Sequence, residues 1–100
     1  MTRETAYQSS NQEVKRRRLE RLLGELQDLD SRRRRLWRFV RFERQRETRL
    51  ADRQNRAPRS TPQEEEVVGD IRQTELAIDR TVAEIGDLVF DLGLVGVNLW

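Results

Sequence analysis

The sequence predicts an all-α protein, an antiparallel two-helix hairpin expected to dimerise into a helical bundle, and three observations predict it. Apolar residues recur at alternating three- and four-residue steps through two long stretches. Ala57-Pro58-Arg59-Ser60-Thr61-Pro62 separates those stretches with two prolines. A chain of 100 residues that is 35% apolar and 38% charged is too hydrophilic for a thick core, which favours long helices meeting along narrow seams.

Residues 1–9 are polar and unpatterned and are expected to be disordered. Ser10 and Glu13 have the spacing of a capping box, in which the serine oxygen accepts from the third helical amide and the glutamate returns to the cap amide. A helix is therefore expected over about 11–56. Leu19, Leu22, Leu26, Leu29, Leu36, Val40 and Leu50 mark its seam, interrupted by Arg33, Glu43 and Glu47. Asp28, Asp30 and Ser31 are able to break it, because Asp30 or Ser31 can cap a new helix before the arginine run.

The loop is expected over 57–61. Pro58 disfavours helix at the residue before it, and Thr61-Pro62-Gln63-Glu64 supplies an N-cap, a proline at the first helical position and a glutamate at the third. The second helix, about 62–92, carries Val68, Ile71, Ile78, Val82, Ile85, Val89 and Leu92 on its seam, broken only by Glu75. Gly93 is the expected left-handed C-terminal cap, so the hairpin occupies 10–93.

In an antiparallel hairpin the numbers of facing residues add to a constant, here about 118 for a turn near residue 59. That register sets Leu50 on Val68, Val40 on Ile78, Leu36 on Val82, Leu29 on Val89 and Leu26 on Leu92. It also sets Glu43 opposite Glu75, a layer expected at the exposed edge of the seam. One thin seam buries little per residue, so self-association is expected through Leu19, Leu22, Leu26, Leu36, Val40, Ile78, Val82, Ile85, Val89, Leu92 and Trp100. The apolar tail, 94–100, is treated as a separate segment that fills a partner groove or folds back over Leu19 to Leu23.

The chain has neither cysteine nor histidine, which removes thiol chemistry, the commonest general base and the commonest metal ligand. No catalytic residue, metal site or cofactor is expected. Glu64-Glu65-Glu66 is explained by the favourable placement of carboxylates in a first helical turn. The start lacks the basic and apolar regions of a secretory signal, and the apolar stretch Leu88 to Trp100 is too short to cross a bilayer. An intracellular protein of the cytoplasm or nucleus, with no membrane span, is expected.

The small net charge of +2 conceals a strong asymmetry: residues 1–60 carry 18 basic and 9 acidic side chains, and residues 61–100 carry 2 and 9. Nineteen of the twenty basic residues are arginine. Arginine offers a planar bidentate fork suited to phosphate, although GC-rich coding gives the same bias. Between Arg32 and Arg59 twelve arginines face only Glu43, Glu47 and Asp52. On a helical wheel Arg34, Arg35, Arg38, Arg41, Arg46, Arg49 and Arg53 lie opposite the seam, with Phe42 among them as a stacking surface. These eight residues are the expected nucleic-acid-binding set. Lys15-Arg16-Arg17-Arg18 is a second, weaker basic cluster.

Ser31-Arg32-Arg33-Arg34-Arg35-Leu36-Trp37-Arg38 with Arg44-Gln45-Arg46 is similar in composition to the arginine-rich RNA-binding helices of small viral regulatory proteins such as lentiviral Rev. The likeness covers 16 of the 100 residues and departs from that family in having Phe39, Val40 and Phe42 inside the run. It implies an RNA ligand and suits a small viral or mobile-element regulatory protein. The expectation is a non-enzymatic RNA-binding homo-oligomer. The alternative is a coiled-coil assembly protein whose basic face docks on an acidic protein surface, the arginines otherwise forming a solvated helix face.

Overall fold

The computed structural model of the protein describes residues 3–93, with side chains from residue 11 onward. Two helices account for most of this span: α1, Arg3–Arg53, and α2, Pro62–Asp91, packed as a helical hairpin. The tail at 94–100, including Trp100, lies outside the described residues.

Helix α1 begins at Arg3, upstream of the start expected at Ser10. Residues 3–11 contain no proline or glycine, and serine costs a helix interior only a few tenths of a kcal/mol, so little opposes propagation back past the capping box. The break considered near 28–31 does not occur. Asp30 points its carboxylate along the helix to Arg33 (2.7 Å) and Arg34 (2.9 Å) rather than capping a new one.

Helix α1 stops at Arg53, three residues short of the expected end, because Asn55 takes the left-handed conformation (φ 53°). Its amide donates to the carbonyl of Asp52 (3.3 Å), and the Arg56 amide reaches back to that of Ala51 (3.0 Å). This is the paired bonding of a Schellman motif with asparagine in the usual glycine position. At the start of α2 the Thr61 hydroxyl accepts from the Glu64 amide (3.1 Å), as the cap spacing predicts. Gly93 closes α2 with φ 69°, donating its amide to the Phe90 carbonyl (3.0 Å), again as predicted.

The chain packs as two compact units, one joining α1 as far as Asp28 to α2 from Asp79, the other the continuous stretch Leu29–Ile78. In the Leu29–Ile78 unit, Val40, Ala51 and Ile71 are buried, together with Glu43, Glu47, Glu64 and Thr74. In the first unit the buried residues are Leu22, Leu88 and Thr81, flanked by ion pairs Lys15–Asp91 (3.7 Å) and Arg18–Glu84 (3.4 Å).

The register differs from the expected one. Arg44 pairs with Glu64 at 2.7 Å, so facing residues in the Leu29–Ile78 unit add to about 108, not 118. The loop causes the shift. It runs back along the last turns of α1, where the Arg59 amide meets Glu47 (3.4 Å) and Pro58, Arg59 and Ser60 share a groove with Arg44, Glu47 and Thr48. Helix α2 therefore starts beside Arg44 rather than beside the end of α1. The Leu50–Val68 and Val40–Ile78 layers are not formed, and Glu43 and Glu75 are offset by about 15 Å along the axis at 1.5 Å per residue.

The seam itself is displaced too. Glu43, expected at an exposed edge, and Glu47, expected only to interrupt the seam, are each just 8% accessible, while Leu50 is exposed and Ala51 beside it is fully buried. On α2 Ile71 is buried as expected, but Thr74, Thr81 and Leu88 are buried too, the last two one residue before the expected Val82 and Val89. Val82 is consequently half exposed. Burying Thr74 costs little because its hydroxyl donates to the Asp70 carbonyl (2.8 Å).

Candidate nucleic-acid interface

The arginine row lies wholly within the Leu29–Ile78 unit, on the part of α1 that no proline or glycine interrupts. Steps of three and four residues return a side chain to the same face, which carries the row from Arg34 to Arg53 over about 28 Å. All eight residues of the expected set, Arg34, Arg35, Arg38, Arg41, Phe42, Arg46, Arg49 and Arg53, are exposed.

Their electrostatic states differ. Arg34 is held by Asp30, and Arg46 approaches Glu43 at 3.7 Å. Among the described residues Arg35, Arg38, Arg41, Arg49 and Arg53 have no carboxylate within ion-pair distance. Three acids are interleaved with the row, and two of them, Glu43 and Glu47, are turned into the hairpin. Glu47 is occupied there: the Arg56 guanidinium donates to it and the Arg59 amide adds a longer bond. The Arg56 hydrogen bond, outweighing burial and aided by Arg59, holds its carboxyl below the ordinary glutamate value. Of these three acids Asp52 alone stays on the surface.

Glu64 has a different role from the one the first-turn carboxylates suggest. It is buried and carries the link from α2 to Arg44, while Glu65 and Glu66 stay in solvent.

Phe42 is 62% accessible and Phe39 40%, so Phe42 takes little part in the chain's own packing and Phe39 only a partial one. Full burial of a phenylalanine is worth roughly 1.5–3 kcal/mol, which the isolated chain largely forgoes at Phe42. Phe42 and Leu50 form the apolar parts of a groove of about 450 Å³ whose other walls are Gln45, Arg46, Arg49 and Arg53. The sequence predicts the exposure of Phe42 but assigns Leu50 to the seam and does not single out Gln45. The available signal was the gap between Val40 and Leu50: a continuous seam needs residues at 43 and 47, and the next step can fall on Ala51 as well as Leu50.

The expected self-association set is divided. Leu22 and Val40 are buried within the chain, Leu19, Leu26, Leu36, Ile78, Ile85, Val89 and Leu92 are half-buried, and Val82 is exposed. The large apolar residues most open to solvent on α2 are Leu76, Val82 and Phe90. Among the described residues no group of three or more acids is placed to hold a metal ion, and no helix is long and apolar enough to cross a membrane. Comparison with protein families, with characterised proteins and with solved structures finds no match to this chain.

Proposed function

We propose that the protein is a non-enzymatic RNA-binding protein that grips phosphates with the exposed arginine face of α1. The observation that carries this reading is the segregation of charge on one helix. Five arginines stand in solvent without an acid partner, while the two glutamates that would neutralise them are buried and Glu47 is engaged elsewhere. A purely solubilising face gains from interleaved opposite charges, and like charges at this spacing destabilise the helix that bears them. A polyanion relieves that repulsion and releases its own counterions. Arginine forks on phosphate oxygens supply affinity and orientation with little reading of base sequence.

In this reading the chain also self-associates, through Val82 and Phe90, left exposed on α2, rather than through the seam residues the chain uses internally. The alternative role, docking on an acidic protein, draws on the same arginines and is separated from RNA binding by experiment.

The test is RNA retention by the purified chain across a salt series. Affinity falls steeply as salt rises, by about 0.7–0.9 in logarithmic slope for each phosphate neutralised, and R38A/R41A/R49A lowers that slope by about two to three while helix content holds. No retention of RNA even at low salt would sink the proposal, and saturable binding of an acidic protein by the same arginines would then favour the alternative.

A further inference from the structure

We infer that the groove between Phe42 and Leu50 takes an unpaired nucleobase, so that the ligand is single-stranded rather than duplex RNA, an inference that rests on the RNA-binding reading above. Arginine rows alone do not choose between the two forms, because both present phosphates. The choice comes from what stands between the arginines.

Phe42 exposes most of its ring in the middle of the row, with Arg38 one turn before it and Arg46 and Arg49 one and two turns after it on the same helix. Its groove pairs an aromatic face and the Leu50 side chain with Arg46, Arg49 and Arg53 and one neutral hydrogen-bonding residue, Gln45. Carboxylates alone would match the arginines but leave the aromatic and aliphatic walls without a matching surface. A duplex would present its sugar-phosphate exterior and the edges of its bases but no open base face, since its bases are stacked and paired. A single strand meets every wall: phosphates lie on the arginines, a base stacks on the ring, and Gln45 can donate to or accept from the base edge. Phe39, also exposed and three residues before Phe42, extends the platform toward Arg35.

Exposure of these rings has no explanation in the folding of the chain itself. The same helix buries Glu43 and Glu47, the neighbours of the arginines, and leaves Phe42 largely and Phe39 and Leu50 partly in water. A helix optimised only for its own hairpin would do the reverse.

The experiment compares three probes of the full chain at one moderate salt concentration: an unstructured RNA strand, that strand annealed to its complement, and a strand of equal length with abasic sugars. The intact single strand is expected to bind about tenfold more tightly than the other two, within the range of one base–aromatic stack. F42A is expected to remove that advantage with helix content unchanged. F42W should retain the advantage and show emission quenched by the intact strand but not by the abasic one, beyond any change in the unsubstituted chain. Equal binding of all three probes, or an F42A chain that keeps the preference, overturns the inference while the arginine-phosphate reading stands. Failure of every probe to bind overturns both.

Discussion

Arg44 donates its Nε to a carboxylate oxygen of Glu64 at 2.7 Å, joining α1 to the first turn of α2 in the Leu29–Ile78 unit. The Glu64 side chain is only 7% accessible, and its backbone amide donates to the Thr61 hydroxyl, so the residue that receives the cap of α2 also ties that first turn to Arg44 on α1. R44A leaves that carboxylate buried without its cation. The expected loss is about 1–2 kcal/mol, below the range for fully buried pairs because the Arg44 side chain is itself 56% accessible. Urea denaturation of R44A, E64A and the double variant measures it, and a coupling energy near zero would show that the pair does not set the register.

Glu47 gives the fold a pH dependence of known sign. Its folded carboxyl is held below the ordinary value, chiefly by Arg56, so the charged form is favoured in the folded state. The stability this contributes is fully present above the unfolded glutamate value of about 4.3 and is lost as pH falls below it through the folded value. E47Q should therefore be less stable than the parent at neutral pH and converge with it in acid. Thermal melts of both chains over the acid range check this; a constant gap between them contradicts it.

The two junctions of the loop respond differently to substitution. T61A removes the acceptor for the Glu64 amide and is expected to cost about 1 kcal/mol. N55G relieves the left-handed strain at φ 53° and should leave stability equal or slightly raised, whereas N55V, β-branched in the same conformation, should lower it. Chemical denaturation ranks the three, and an N55V chain as stable as N55G would exclude this cap.

Glycines inside the helices behave oppositely to the one that ends α2. A Cβ at Gly24 or Gly86 meets nothing within 4 Å, so G24A and G86A should each stabilise by about 0.5–1 kcal/mol. At Gly93 space is equally open, but φ is +69°, and G93A should destabilise. Melting temperatures by circular dichroism give the signs. A drop for G86A at high protein concentration alone would place that face against a second copy.

Much of this protein is set by local chemistry and so was legible in its sequence. Proline, threonine and glycine at fixed offsets specify where α2 starts and ends, because capping depends on residues within one turn. The three- and four-residue apolar steps specify two helices, and the helical period alone sets Arg34, Arg35, Arg38, Arg41, Arg46, Arg49 and Arg53 opposite the seam, since that angle is fixed once the helix exists. The register, the choice between neighbouring seam positions and the fate of the acids were decided by tertiary structure. Each depends on the path of the loop, which folds back on α1 and brings Glu64 to Arg44, a contact between residues twenty apart that no local rule specifies. The same packing turns Glu43 and Glu47 inward and leaves Phe42 and Leu50 outward, because a 3.5-residue repeat passes equally close to two adjacent positions and only the partner surface selects one. The row of arginines was thus written in the sequence, and its lack of nearby counter-charge was produced by the fold.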